Sequence, residues 1–222
     1  MQILTTQSVR PTTHCLVYGP AKCGKTRLIP TCPNPIVCST DEGLSSIREY
    51  NIPYVRVTNW QQFLEFKLWV MTNKDAKQFQ TVVIDDLTEL CELFLIMEKP
   101  KHKNLMQAYG QLNDDINIII RDLRGITDRN CVFICKQERI KDESTGGLIY
   151  GPKIPGQAIG PMLPYILGEV YHAEIWVDPT TRIEYPVLRT KRNNYCDAGS
   201  RSGKLGELEG MDLGAIFAKV MS

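Results

Sequence analysis

The chain has 222 residues, 43% of them hydrophobic, and a formal net charge of +1 at pH 7. A chain of this length and composition can bury a sizeable core, so we expect one domain over residues 1–222. The balanced charge gives no overall reason to expect nucleic-acid binding, and the longest apolar runs are far shorter than the roughly 20 residues that cross a bilayer, so we expect a soluble protein that binds no membrane.

Short apolar runs alternate with amphipathic segments, a pattern that favours an α/β fold with a mostly parallel sheet covered by helices. In chain order, the predicted strands are residues 12–18, 35–39, 54–57, 81–84, 130–135, 169–177 and 182–190. A compact turn at residues 178–181 joins the last two strands as an antiparallel hairpin. Apolar residues spaced three or four apart between Leu105 and Ile126 predict the clearest helix, and a final helix is expected at about residues 212–220.

The segment from Lys141 to Pro164 is rich in glycine and proline. This composition predicts a long mobile loop over about residues 139–164. Because loops of this length are usually functional or disordered, the segment is a candidate for binding or for covering a site.

Eight cysteines are scattered along the chain. The sequence begins without a secretory-signal pattern, and no CxxC pair supports a zinc site. We therefore expect reduced thiols in a cytoplasmic protein without a metal cluster. Cys131 and Cys135, within the apolar run CVFIC, are interpreted as small core residues.

The first predicted strand is followed by GPAKCGKT, residues 19–26, which we call the phosphate loop. It matches G-x-x-x-x-G-K-[ST] in full and lies between a strand and a predicted short helix, where successive backbone N–H groups can hold phosphate oxygens. Lys25 is expected to contact the β and γ phosphates, and Thr26 to bind Mg²⁺. The residues assigned to nucleotide binding here are Gly19, Pro20, Ala21, Lys22, Cys23, Gly24, Lys25 and Thr26.

A carboxylate on the opposite side of the Mg²⁺ is expected at the end of an apolar strand. In TVVIDD, residues 81–86, we assign this role to Asp85, while Asp86 could equally cap the next helix. Hydrolysis also needs a group that activates water. Glu42, which follows the second predicted strand, is the best candidate, and its alternative role is to favour the dipole of a helix after Gly43.

Five segments stand in an order that resembles a known family. They are GPAKCGKT, TDEGLSSI, TVVIDDLTEL, NCVFICKQERI and PVLRTKRNN. Their order resembles that of the RecA-like core ATPases, most closely the small phage-type AAA-family ATPases, which include the Sak-type single-strand annealing proteins. The resemblance covers residues 13–191 by motif order. It implies a RecA-like P-loop NTPase fold with a mostly parallel central sheet flanked by helices and a C-terminal antiparallel hairpin.

The same resemblance implies roles for single residues. Glu42 matches the catalytic glutamate of the family, and Asp85 matches its magnesium-linked aspartate. Gln137, or alternatively Lys136, matches the polar residue that ends the next strand and senses the γ phosphate. It further implies ATP and Mg²⁺ as cofactors, a host-cell cytoplasmic location, and single-stranded DNA, a homo-oligomer with nucleotide at the subunit interface and a single-strand DNA-binding protein as partners.

Arg189 and Lys191 resemble the paired basic residues that reach the nucleotide of a neighbouring subunit in RecA filaments. Alternate residues of a strand project to one face, so both charges can point at one phosphate. A cation supplied from a neighbouring subunit can contribute about 10³ to 10⁵ in rate. The alternative is a solvated basic end of a strand.

Local charge gives a case for nucleic-acid binding. Residues 182–204 contain six basic residues against two acidic ones. The expected loop adds phosphate-binding charges and one base-stacking ring, at Arg139, Lys141, Tyr150 and Lys153. The alternative role of this loop is a flexible lid over an active site.

These patterns favour an ATP-hydrolysing, oligomeric protein that binds single-stranded DNA in recombination or strand annealing. A small-molecule kinase, with Arg139 on a lid, is a second hypothesis that uses the same phosphate loop. An AAA+ loader is a third, although the chain after Asp85 leaves little room for its helical lid domain. A nucleotide-binding switch without turnover is a fourth.

Overall fold

The computed structural model describes residue 5 and residues 12–40, 43–142, 145–156 and 158–222. The strands in these ranges are β1 (His14–Gly19), β2 (Pro35–Ser39), β3 (Tyr54–Arg56), β4 (Thr81–Asp85), β5 (Asn130–Lys141), β6 (Leu148–Pro152), β7 (Glu169–Val177), β8 (Glu184–Arg189), β9 (Gly199–Ser200) and β10 (Leu208–Gly210). The helices are α1 (Trp60–Thr72), α2 (Leu87–Glu98), α3 (Leu105–Arg124), α4 (Ile159–Ile166) and α5 (Leu213–Met221). Short 3₁₀ helices cover Lys25–Thr31, Gly43–Tyr50, Asp75–Gln78 and Lys99–Lys101.

The main sheet has the strand order β10-β8-β7-β1-β5-β4-β2-β3. β1 lies between β5 and β7 and is parallel to both, and β4, β2 and β3 continue the parallel arrangement. β8 pairs antiparallel with β7 and β10 antiparallel with β8. The predicted mostly parallel sheet with an antiparallel C-terminal hairpin is therefore confirmed. Because β1, β4 and β5 run in the same direction, their carboxyl ends meet at one edge.

Two apolar layers cover the two faces of the sheet. Along β1, Leu16 and Tyr18 face the layer formed by α1 to α4, while Cys15 and Val17 face the layer that contains α5. Burial on both faces explains why the central strands are continuous apolar runs. The predicted helix stripe is confirmed, since α3 buries Ala108, Leu112, Ile116, Ile119, Ile120 and Leu123. All eight cysteines are buried free thiols.

The prediction of a long loop over residues 139–164 is wrong. β5 continues to Lys141 and pairs antiparallel with β6, and α4 follows. We call β5 from Gln137 onward, together with β6, the β5–β6 hairpin. Its glycines serve close packing and turning rather than mobility. A Cβ on Gly151 would lie 2.5 Å from Cδ1 of Ile140 across the hairpin, and Gly146 turns the chain with φ of 73°.

Among the described residues, no helix is both long enough and apolar enough to cross a membrane.

Two helical glycines differ in the space around them, and this difference gives a test of the packing. A Cβ on Gly214 of α5 would lie 2.6 Å from the Thr31 carbonyl oxygen, whereas a Cβ on Gly110 of α3 would meet nothing within 4 Å. We expect Gly110→Ala to raise the free energy of unfolding by roughly 0.5–1 kcal/mol. Gly214→Ala should lower it by roughly 1–3 kcal/mol, because α5 must move away from the helix that follows the phosphate loop.

Urea unfolding followed by circular dichroism measures both values. Equal effects of the two substitutions would contradict the described packing of α5.

Candidate nucleotide-binding site

The phosphate loop begins where β1 ends. Gly19 lies opposite Lys136 of β5, and a Cβ on Gly19 would be 2.4 Å from the Ala173 carbonyl oxygen of β7. Only glycine fits this close approach without displacing a neighbouring strand. The loop then turns through Lys22 and Gly24, with φ of 65° and 94°. These turns lead into the 3₁₀ helix Lys25–Thr31, which replaces the expected helix over the same residues.

The Lys25 side chain bends back over the loop. Its Nζ donates to the carbonyl oxygens of Gly19 at 2.8 Å and Pro20 at 2.6 Å, and lies 3.9 Å from Sγ of Cys23. The ammonium group is therefore held at the centre of the loop by two backbone carbonyls. A lysine in this position can bind phosphate oxygens that enter the loop.

Asp85 and Asp86 have separate roles in the structure. Oδ2 of Asp85 accepts a hydrogen bond from the Thr26 hydroxyl at 3.3 Å. The carboxylate of Asp86 instead caps α2, accepting from the backbone N–H groups of Thr88 and Glu89. Burial raises the pKa of Asp86, although the capping bonds oppose this change. The alternative left open by the sequence is resolved in this arrangement: Asp86 is the helix cap, and Asp85 faces the phosphate loop.

The residues present fit a nucleoside triphosphate with Mg²⁺. A cavity of about 560 Å³ opens beside the loop and is lined by Lys22, Cys23, Gly24, Lys25, Thr26, Arg27, Ser46, Ile175 and Pro186. The hydroxyl of Thr26, which lines the cavity, bonds to the buried carboxylate of Asp85, and such oxygen ligands are those that Mg²⁺ prefers. Thr26 and Asp85 would hold the ion, and Lys25 would neutralise phosphate charge.

Glu42, the expected water-activating residue, lies outside the described residues. The chain that precedes it is fixed, since the Thr40 N–H donates to the Asp85 carbonyl oxygen at 3.0 Å. On its other side, Ser46 lines the nucleotide cavity. The role of Glu42 stays a prediction.

Gln137 and Lys136, the two sensor candidates, point to different partners. The Nζ of Lys136 forms an ion pair with Glu89 of α2. Oε1 of Gln137 lies 2.9 Å from Nε2 of His172, a buried residue of β7 that the sequence analysis missed. No local pattern could have indicated this contact, because the two residues belong to strands that are separated by β1 in the sheet.

Arg189 is held within the chain. It is 8% exposed and forms ion pairs with Glu174 and Glu207. The expectation that Arg189 and Lys191 project to one face of the same strand is wrong. β8 ends at Arg189, so the exposed Lys191 lies beyond the strand. A contact between Arg189 and a neighbouring subunit's nucleotide would first require release from its two carboxylates.

His172, Glu174 and Cys196 place three ligand atoms within 4.8 Å of one another. The Glu174 oxygens are already bonded to Nδ1 of His172 at 3.0 Å and to Nε of Arg189 at 2.9 Å. These bonds hold the pKa of Glu174 below its usual value although burial opposes them, and burial raises the pKa of the Cys196 thiol to about 12. A network of hydrogen bonds and an ion pair, rather than a cation site, is the better description of this cluster.

The four predicted DNA-binding residues lie on or next to the β5–β6 hairpin. Arg139 and Tyr150 are directly opposite each other, and the Arg139 guanidinium lies 5.7 Å from the centre of the Tyr150 ring. Lys141 ends β5 and is exposed, and Lys153, also exposed, follows β6. Tyr150 is half-buried, since its ring stacks on His172 with an interplanar angle of 6°. Its ring is therefore less open to a base than the sequence suggested.

Comparisons with known proteins place this geometry in a family. Residues 12–202 match the AAA_24 family, which is described as an AAA domain. A crystal structure of the RadB recombinase is similar in fold, with a TM-score of 0.46 and 14% sequence identity over 82% of this chain and 89% of that chain. A comparison with curated protein sequences gave no match. The expected α/β P-loop fold class is thereby confirmed.

The contact between Thr26 and Asp85 predicts a shared dependence on Mg²⁺. Thr26→Ala and Asp85→Asn should each weaken binding of a fluorescent ATP analogue about tenfold when Mg²⁺ is present, because each removes one oxygen ligand of the ion. In EDTA, both variants should bind the analogue within about twofold of the wild type.

Thr26→Ser, which keeps the hydroxyl, is the matched control and should bind as the wild type does. Equal losses with and without Mg²⁺ would contradict the assignment of these two side chains to the ion.

Proposed function

The chain belongs to the AAA_24 family of AAA domains, and on this basis we propose that it is an ATP-dependent, oligomeric protein that binds single-stranded DNA in recombination or strand annealing. One observation supports the proposal above others. β5 passes the phosphate loop at Lys136, opposite Gly19, and continues without a break into a hairpin that carries basic and aromatic side chains. The same strand thus joins the nucleotide cavity to a surface suited to nucleic acid.

One face of the hairpin has the composition of a single-strand binding surface. Because directly opposed residues of paired strands share a face, the pairs Arg139 with Tyr150 and Lys141 with Leu148 lie on the same side. Leu148 is 64% exposed. Cations that track the phosphates, next to apolar and aromatic surface that contacts bases, are the usual means by which proteins bind single strands without sequence preference.

A neighbouring segment extends this surface. The backbone N–H of Tyr150 donates to the carbonyl oxygen of Tyr195, whose ring is 74% exposed. Tyr195 is therefore a better candidate for base stacking than the half-buried Tyr150. Arg192 bonds to the buried Asp142 at the hairpin turn, and its positive charge offsets the negative charge of that carboxylate.

The chain's residues supply the steps of an ATPase cycle. Lys25 would bind and neutralise phosphate oxygens, and Thr26 and Asp85 would hold Mg²⁺, which when bound supplies charge stabilisation for phosphoryl transfer. Glu42 orients and activates the attacking water, and Gln137 reports the state of the γ phosphate to the hairpin. Assembly places Lys191, which is exposed, at the nucleotide of a neighbouring subunit.

The kinase alternative has less support. Arg139, which would serve as its lid arginine, lies in the paired part of β5 and contacts Tyr150. A residue on a paired strand does not provide the movable cover over an acceptor group that such enzymes need.

Charge reversal on the hairpin tests the proposed DNA surface. We expect the double variant Arg139→Glu, Lys141→Glu to weaken binding of a fluorescent oligo(dT) by at least tenfold at 50 mM salt, measured by anisotropy with a non-hydrolysable ATP analogue present. The slope of log affinity against log salt should fall by about 1.4 for the two lost phosphate contacts.

Arg121→Glu is the matched control, because Arg121 is an exposed residue near the end of α3, which leads to the start of β5 at Asn130, whereas the hairpin lies at the other end of that strand. It should leave both the affinity and the slope unchanged. The proposal is abandoned if the hairpin variant binds DNA as the wild type does, or if the analogue leaves wild-type affinity unchanged.

A further inference from the structure

We infer that His172 is a positioning residue that couples the nucleotide cavity to the β5–β6 hairpin, through Gln137 on one side and Tyr150 on the other. This inference rests on the proposed function, since it names the contact by which the nucleotide state would reach the DNA surface. Its basis is the set of contacts that a single buried imidazole makes with three strands.

His172 lies close to the phosphate loop in the sheet. His172 pairs with Tyr18 of β1, one residue before the phosphate loop begins, and their rings lie 5.0 Å apart. Its Nε2 contacts Oε1 of Gln137 at 2.9 Å, so the bond passes over the carboxyl end of β1. A shift of Gln137 toward a phosphate therefore changes a contact of His172 directly.

On its other side, His172 contacts the β5–β6 hairpin through Tyr150. The Tyr150 ring lies parallel to the imidazole, with centroids 6.2 Å apart, and Arg139 lies over the same tyrosine. The Tyr18 hydroxyl donates to the Tyr150 carbonyl oxygen at 3.0 Å and to that of Asp197 at 2.7 Å. The strand that leads into the phosphate loop thus also holds the hairpin, and His172 packs against both tyrosines.

The hydrogen bonds of His172 set the direction of the Gln137 amide. Nδ1 faces the Glu174 carboxylate, which only accepts, so Nδ1 carries a proton. Nε2 faces the Gln137 side-chain oxygen, which also only accepts, so in this arrangement Nε2 carries a proton too and donates to that oxygen. The amide NH₂ of Gln137, the donor that a phosphate oxygen requires, takes no part in this contact. Glu174 in turn forms an ion pair with Arg189, and this ion pair fixes the carboxylate that bonds to Nδ1 of His172.

Two substitutions separate this coupling from a structural role. His172→Phe keeps an aromatic ring against Tyr18 and Tyr150 but removes both nitrogens. Gln137→Leu removes the same hydrogen bond from the other side and leaves the imidazole in place, so it tests the link even if His172→Phe folds poorly. His172→Gln, which can still donate to Gln137, is the conservative variant that should restore part of the coupling.

Hydrogen exchange with and without a non-hydrolysable ATP analogue and Mg²⁺ provides a readout that needs no DNA. In the wild type, we expect the analogue to slow exchange both in residues 19–26 and in residues 148–152, the latter by at least about fivefold. In His172→Phe and Gln137→Leu, the effect in residues 19–26 should remain, while that in residues 148–152 should fall below about twofold. In the double variant His172→Phe, Gln137→Leu, the nucleotide effect on exchange in residues 148–152 should be no smaller than in either single variant.

The outcomes separate the inference from the proposed function. A hairpin that responds to nucleotide in both variants as it does in the wild type overturns the inference, and so does a wild-type hairpin that ignores nucleotide while the phosphate loop responds. A hairpin that responds through His172 in a protein whose DNA affinity is independent of nucleotide supports the inference and refutes the proposed function. A phosphate loop that does not respond to the analogue refutes both.

Discussion

The position of β1 between β5 and β7 is the constraint on which the rest of the structure depends. The parallel register places Gly19 opposite Lys136 and brings its Cα so close to β7 that an added Cβ would lie 2.4 Å from the Ala173 carbonyl oxygen. The phosphate loop therefore leaves the sheet at a fixed point. From there, the parallel neighbours bring Asp85 from β4 and Gln137 from β5 to the same edge, as expected for ligand sites at the carboxyl ends of parallel strands.

A partly buried polar network lies beside that edge. It runs from Gln137 through His172 and Glu174 to Arg189, and ties β5, β7 and β8 together. Burying charges costs desolvation energy, and an apolar replacement of similar volume is often as stable. The network is therefore better explained by what it positions than by stability alone, and its first member lies next to the proposed phosphate site.

The sequence predicts the parts of this site that depend on local spacing. The phosphate loop, Asp85 at the end of an apolar strand and the stripe of α3 all follow from residues within a few positions of one another. The hairpin could not be predicted in the same way, because its glycines fit beneath neighbouring side chains, as Gly151 does beneath Ile140. A count of glycine and proline does not distinguish close packing from mobility.

Contacts between distant parts of the chain could not be predicted from the sequence either. His172 and Gln137 are 35 residues apart, and only the order of β5, β1 and β7 brings them together. The pairing of Arg189 with Glu174 and Glu207 similarly depends on where β8 ends and on the chain that follows it. A strand's alternation gives the face of a residue but not the partner it meets there.

The central claim is that ATP use and DNA binding are linked in an assembled protein. ATPase activity measured with and without single-stranded DNA, across a range of protein concentration, tests it most directly. The account predicts that DNA stimulates turnover and that the stimulation rises cooperatively with protein concentration. Turnover that is indifferent to both DNA and protein concentration would contradict it.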